Sequence, residues 1–278
     1  MTYREICRAL EIAGVDTPQW DAQLLIEHFC GKDRLFLLGN PDQELDSKEL
    51  EQAVAKRCQR EPLQYLIGTW SFYNQTYEVS PACLIPRSDT EILVEEAIKR
   101  LPQNAFFADL CTGSGCIAVS VLAERYDTRA VAVDLSSDAL TLAKRNAERN
   151  GVSERFRGIL GDVLHFSTKL MESIPRPHAI LSNPPYIPTS VLKDLSPEVG
   201  REPRMALDGG DDGLIFYREL FRVAREWLAD DGFCLFEIGY DQGNSLRALA
   251  AENGFSCEIK RDLGGCDRVA ILYPRHIE

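Results

Sequence analysis

The hydrophobic positions change their period along the chain, and each change marks a different kind of structure. Ile6, Ala9, Leu10 and Ala13 recur at helical spacing until Gly14 ends the run. Asp21 to Phe29 repeats the pattern through Leu24, Leu25 and Phe29, with Gly31 as its stop. Ser47 stands where an N-cap would, ahead of Leu50, Val54 and Cys58. From Pro62 the texture becomes aromatic and β-prone. Tyr65-Leu66-Ile67, Trp70-Ser71-Phe72-Tyr73 and Thr76-Tyr77-Glu78-Val79, broken at Asn74-Gln75, predict a hairpin. Ser88 or Asp89 is then placed to cap a helix carrying Ile92, Leu93, Ala97 and Ile98.

Beyond Ala105 short apolar runs alternate with amphipathic segments, which predicts an α/β fold with a largely parallel sheet. Strands are expected at 105–110, 129–134, 155–160 and in the run ending at Asn183. Three more are expected at 232–238, 255–260 and 268–273, making seven. Helices are expected at 116–125, 137–150, 214–228 and 244–253, and a long loop at 187–212. The expected organisation is a helical domain over 1–62, a hairpin linker over 63–82 and a sheet domain over 83–278.

Composition narrows the partners. A 278-residue chain with 45% hydrophobic and 27% charged residues can bury a sizeable core. Its net charge of −12 lacks the basic footprint that duplex DNA or RNA requires. The nine cysteines include no C-x-x-C pair, so they read as reduced thiols. The four histidines form no cluster with zinc spacing, and no metal is expected. The N-terminus leads into no apolar signal core and no run has the length of a membrane span. A cytoplasmic protein away from membranes is expected, as a monomer.

The chemistry concentrates at the ends of the predicted strands. Ser182-Asn183-Pro184-Pro185-Tyr186-Ile187 follows the apolar run His178 to Leu181. A Pro-Pro pair cannot continue a central strand, so the strand must end there. In open α/β sheets ligands bind at the carboxyl ends of strands. The Asn183 side-chain oxygen and the Pro184 carbonyl are two acceptors, and Tyr186 offers a flat face. Together they suit a planar NH2 group, either an amide or the exocyclic amine of a base. Upstream, Asp109-Leu110-Cys111-Thr112-Gly113-Ser114-Gly115 lies between a strand and a helix, where glycines let backbone approach a ligand. No Lys-Ser/Thr pair follows, which excludes a P-loop. Asp134 ends the second strand, where it can accept from ribose hydroxyls. Asp162, beside Val163, ends the third and can accept from an adenine amine. NAD and S-adenosylmethionine both carry adenosine, so these acids do not separate them. Asn-Pro-Pro-Tyr does, because hydride transfer has no use for two acceptors aimed at an NH2 group.

Taken together, Pro62 to Gly68, Leu84 to Glu91, Asp109 to Gly115, Asn183 to Tyr186, Glu202 to Gly210 and Glu237-Ile238-Gly239 resemble the release-factor glutamine methyltransferases (HemK/PrmC family). The resemblance covers essentially the whole chain. It departs at Ser88, where the family usually has proline. It implies a doubly wound, mostly parallel, seven-stranded Rossmann-like methyltransferase sheet with a small N-terminal helical bundle. It also implies S-adenosylmethionine as cofactor and, as substrate, the glutamine of the Gly-Gly-Gln loop of class I peptide-chain release factors. Thr90, Cys111, Thr112, Gly113, Ser114, Gly115, Asp134, Asp162, Val163 and Asn183 would then hold the cofactor. Asn183, Pro184, Pro185 and Tyr186 would hold the glutamine, with Asn183, Pro184 and Tyr186 acting in catalysis. Glu237 reads as a structural carboxylate, with a group supporting the site from behind as the alternative, and the N-terminal helices read as a docking surface for the body of the substrate protein. Asn-Pro-Pro-Tyr alone is shared with adenine methyltransferases of DNA and guanine methyltransferases of ribosomal RNA. A nucleic-acid amine methyltransferase is therefore the alternative reading, and a non-catalytic cofactor-binding protein the second.

Overall fold

A computed structural model describes residues 1–167 and 172–275. The chain forms two compact units. One comprises Met1–Thr69 together with Leu195–Arg201, and the other comprises Trp70–Asp194 with Glu202–Glu278.

The first unit is helical: α1 (Tyr3–Ile12), α2 (Pro18–Cys30), α3 (Arg34–Gly39), α4 (Lys48–Cys58) and α5 (Leu63–Ile67). Thr2 and Glu5 form a capping box on α1, and Ser47 accepts from the Leu50 amide at the start of α4. Ile6, Leu10, Leu25, Ile26, Leu50 and Val54 make its core. Among them runs a buried ionic cluster that the hydrophobic pattern gave no sign of. Arg57 donates to Asp21 at 2.6 Å, and both are almost fully buried. Arg57 and Arg60 also donate to Glu198 at 2.9 and 2.6 Å. Burial works against the charged form of Glu198, but the two guanidinium groups outweigh it and bring its pKa down to about 2. This clamp is what makes Leu195–Arg201 part of the helical unit. Tyr65 to Ile67, expected as a strand, is helical instead. Pro62 opens the turn and Gly68, at φ +78°, closes it, so the flanking residues override the β-propensity between them.

Next along the chain, β1 (Thr69–Phe72) and β2 (Gln75–Glu78) form the expected hairpin, which from Trp70 on belongs to the second unit. Tyr77 drives its ring into the core and donates to the Cys116 carbonyl at 3.2 Å. Neither Ser88 nor Asp89 caps the following helix. They lie in a 3-10 turn that runs into α6 (Glu91–Arg100), and Asp89 pairs with Arg268 at 3.2 Å instead.

The seven-stranded sheet contains β3 (Phe106–Leu110), β4 (Arg129–Asp134), β5 (Phe156–Leu160), β6 (Ala179–Ser182), β7 (Phe233–Glu237), β8 (Phe255–Arg261) and β9 (Asp267–Pro274). Their order is β5-β4-β3-β6-β7-β9-β8. The first five in that order are parallel, and β9 pairs antiparallel with both its neighbours. The other helices that matter here are α7 (Cys116–Glu124), α8 (Ser137–Arg149), α9 (Ile215–Trp227) and α10 (Gly243–Glu252). The central strands are apolar on both faces, as a sheet covered by helices on each side requires. Phe107, Leu181 and Leu235 point into one core with α6 and α7, while Ala108, Ile180 and Phe236 point into another with α9 and α10. The loop expected at 187–212 carries 3-10 turns at Thr189–Asp194, Val199–Arg201 and Arg204–Ala206. Among the described residues no helix is long and apolar enough to cross a membrane.

Candidate functional site

The strand order reverses between β3 and β6. Chain continues outward from β3 through β4 to β5, and outward from β6 through β7. A crevice opens at the carboxyl ends of the two strands where such a reversal occurs. Leu110 and Ser182 are in register there, and Ser182 Oγ donates to the Leu110 carbonyl at 2.6 Å. The glycine loop therefore leaves β3 at the level where Asn183 leaves β6. Between them lies a cavity of about 450 Å³, within the usual range for a small ligand.

On the β3 side, Cys111 takes φ +61°, a left-handed conformation uncommon outside glycine, and so turns the chain across the strand end. Asp109 sits beneath the turn. Its Oδ2 accepts from Thr112 Oγ1 at 2.6 Å and from the Ala118 amide at 3.3 Å, which ties the loop to the first turn of α7. Oδ1 of the same carboxylate makes no hydrogen bond, and burial pushes its pKa up to about 7. Asp134, at the end of β4, accepts from the Gly113 amide at 2.8 Å and from the Ser136 amide at 2.9 Å. Burial raises its pKa as well. Each of its oxygens keeps a further lone pair.

Cys111, Thr112, Gly113, Ser114, Asp134, Asp162, Val163, Thr90 and Asn183 all line the cavity, as does Pro185. Gly115 does not. It is the N-cap of α7 at φ +80°, and an added Cβ would lie 3.0 Å from that of Ala143, so it serves the approach of α8. Asp162 turns one carboxylate oxygen to the Leu164 amide and the other to His165 Nδ1, both within its own turn.

On the β6 side, Pro184 and Tyr186 stand outside the cavity wall. The Tyr186 ring packs on the second core and its hydroxyl lies 3.5 Å from Glu237 Oε1. The Tyr186 carbonyl accepts from Gln242 Nε2 at 3.1 Å, and the same nitrogen donates to the Gly213 carbonyl at 3.2 Å. Gln242 Oε1 accepts from the Gly239 amide at 2.9 Å. Gly213, at φ +71°, has room for no side chain: a Cβ there would come within 2.7 Å of Gln242 Nε2 and closer still to the Tyr186 carbonyl oxygen. Asn183 Nδ2 donates to Thr90 Oγ1 at 3.3 Å, which turns Oδ1 to the opposite side of the amide.

Sequence reasoning missed several residues of the wall. Cys83, Ile85, Arg87, Ser136, Met205 and Phe216 all contribute to it. Glu202 fastens the Ile85–Arg87 stretch by accepting from the Ile85 amide at 2.9 Å and pairing with Arg87. Both ends of that contact lie in stretches that carried the family resemblance, Leu84 to Glu91 and Glu202 to Gly210, but no local pattern joins them across 115 residues. Among the described residues no group of His, Cys, Asp and Glu could hold a metal ion.

Comparison with known proteins gives the family. Residues 2–68 match the family described as PrmC N-terminal domain, and residues 88–197 match the methyltransferase small domain. A relative from Geobacter sulfurreducens named release factor glutamine methyltransferase is 41% identical over 263 residues, covering 92% of this chain and 89% of its own. One of the same name from Caulobacter vibrioides is 38% identical over 278 residues, with 97% and 94% covered. A solved ribosomal protein L11 methylase from Lactobacillus delbrueckii subsp. bulgaricus superposes with a TM-score of 0.51 at 20% identity, over 71% of this chain and 84% of that one, and so shares the fold. Relatives matched along nearly its whole length show that the chain belongs to the family of release factor glutamine methyltransferases.

Proposed function

We propose that the protein transfers a methyl group from S-adenosylmethionine to the side-chain amide nitrogen (N5) of the glutamine in the Gly-Gly-Gln loop of class I peptide-chain release factors. The observation that carries this reading is the attitude of Asn183: its NH2 is spent on Thr90 at the cavity wall, so its oxygen is the atom left to meet a substrate amide. The cavity suits the cofactor. Its volume is adequate, and it has backbone of the Cys111 to Gly113 turn along one side and a buried carboxylate, Asp134, with lone pairs to spare at the β4 end. Cys111, Thr112, Gly113, Ser114, Asp134, Asp162, Val163 and Thr90 would hold it.

The cofactor supplies an electrophilic methyl on a sulfonium. The chain supplies the orientation. An amide nitrogen is a poor nucleophile because its lone pair is delocalised into the carbonyl. Asn183 Oδ1 and the Pro184 carbonyl would accept the two N–H groups of the glutamine and aim the nitrogen lone pair. Charge builds on those N–H groups as the N–C bond forms and the C–S bond breaks, so both acceptors bind more tightly in the transition state than before it. Holding two reactants in line accounts for most of the remaining acceleration. The methylated amide sheds its extra proton to solvent without a strong base. Transfer of labelled methyl to a release factor tests the reading. Transfer is expected to the wild-type factor and to be lost when the glutamine is replaced by alanine. Labelling that persists without the glutamine would refute the assignment.

A further inference from the structure

We infer that Glu202 is a positioning residue for Asn183, closing a ring of hydrogen bonds that runs from the Asn183 side chain round to the turn behind it. The inference rests on the proposed reaction and deepens it. Leu84 to Arg87 belong to no helix or strand, yet they supply a continuous run of the cavity wall. Glu202, 5% exposed, grips that run at two points: Oε2 accepts from the Ile85 amide at 2.9 Å and Oε1 pairs with the Arg87 guanidinium. From there the ring leads to the site. The Arg87 carbonyl accepts from the Thr90 amide at 3.1 Å, and Thr90 Oγ1 accepts from Asn183 Nδ2 at 3.3 Å.

In the other direction Glu202 begins a tight stretch of chain. The Pro203 carbonyl accepts from the Ala206 amide and the Arg204 carbonyl from the Asp208 amide, each at 2.9 Å. The same stretch then lies along the turn that follows Asn183. The Ile187 amide donates to the Leu207 carbonyl at 3.0 Å, and the Gly209 amide donates to the Ile187 carbonyl at 2.8 Å. Thr189 Oγ1 adds a bond to Asp208 Oδ1 at 2.6 Å. An added Cβ on Gly209 would lie 2.8 Å from the Tyr186 backbone, so only glycine lets the two backbones come this close. Pro184 and Pro185, with φ fixed by their rings, carry that hold back to Asn183.

Asn183 is thus held twice, by its backbone through the Ile187 turn and by its NH2 group through Thr90. Its oxygen keeps one direction only while those two holds keep their spacing. The Thr90 bond is at the long end of the hydrogen-bond range, so a small drift of the 85–90 stretch breaks it. Glu202 ties the two holds together. An ionised carboxylate accepts at both oxygens, which is what two donors on one stretch require. Glutamine in its place keeps an acceptor for the Ile85 amide but turns an NH2 group toward Arg87, and alanine keeps neither contact. Were Glu202 only a buried ion pair of the fold, its loss would cost stability and leave Asn183 of the folded enzyme as it was.

Three measurements on the full chain separate the two roles. With release factor and saturating S-adenosylmethionine, Glu202→Ala is expected to lower kcat about 10- to 100-fold, the scale of a hydrogen bond to a charged group, and Glu202→Gln about 3- to 10-fold. Thr90→Val cuts the same ring, so adding it to Glu202→Ala should cost little beyond the larger single loss. Independently of turnover, the Asn183 side-chain NH2 resonances should move in Glu202→Ala toward their positions in Thr90→Val, and part of the way in Glu202→Gln. Should the alanine variant not fold, the glutamine variant decides by the same resonances. A wild-type kcat per folded molecule, additive losses or unmoved Asn183 resonances would overturn the inference. A wild-type protein that transfers no methyl to release factor would overturn the proposed function instead, with the resonances still deciding the role of Glu202.

Discussion

The two loops that meet at the β3–β6 reversal are held in place by opposite means. The loop after β3 is held from close by. Cys111 turns it, Asp109 and Thr112 lock it three residues apart, and Asp134 of the adjacent strand braces the Gly113 amide. The loop after β6 is held from far away. Gln242 takes the Tyr186 carbonyl from 56 residues downstream, Glu237 faces its hydroxyl from 51 downstream, and Thr90 takes Asn183 from 93 upstream. A ligand bound by backbone needs only a well-made turn. A side-chain amide that aims a poor nucleophile, as proposed for Asn183, needs its rotamer fixed, and a proline-stiffened turn cannot do that from within itself.

The contrast can be broken from either side. Asn183→Ala removes the aimed acceptor and leaves the β3 loop alone. Single-turnover rates should fall at least about a hundredfold, the scale for losing a transition-state hydrogen-bond partner, while calorimetry should find cofactor affinity within about tenfold of wild type. Near-normal turnover would take Asn183 out of the chemistry. Asp134→Ala strikes the other loop. Losing a charged acceptor should weaken cofactor binding by about 2–3 kcal/mol, with a smaller loss of rate once cofactor is saturating. Equal affinities would reduce Asp134 to a brace for Gly113 and Ser136. Gln242→Leu sharpens the comparison with the smallest effect. Turnover is expected to drop about tenfold at unchanged cofactor affinity, because the Tyr186 and Gly213 carbonyls lose their partner and the turn loosens. A selective loss of cofactor affinity would show that the two loops are not held separately.

The same contrast explains what could be read from the residues alone. The strands, the helices from Cys116 to Glu252 and the glycine loop rest on local pattern, and they stand within a residue or two of where periodicity put them. The helix at Tyr65 was misread because propensity was weighed without its flanks, Pro62 and Gly68. Gly115, named with the cofactor residues, lies outside the cavity wall, and a tight turn and a close helix crossing ask for the same residue. The supports of Asn183 and Tyr186 left no local signal. A threonine ahead of a helix, a glutamate ending a strand and a glutamine opening another helix are each ordinary until folding brings them together. Glu237 in particular could be read either as a structural carboxylate or as a support for the site, since nothing in Phe233 to Glu237 announces an unbonded oxygen.

The capture of Leu195–Arg201 by the helical unit bears on how this gene can be cut. A fragment beginning at Trp70 would inherit Glu198 without Arg57 and Arg60. A fragment ending at Thr69 would keep both guanidinium groups and lose the carboxylate they share. The first fragment would lose the helices that shield Glu198, and the second would leave Arg57 with Asp21 alone as its carboxylate partner. Seven residues from the midst of the sheet domain's sequence thus belong, in any dissection, with the helices that precede it.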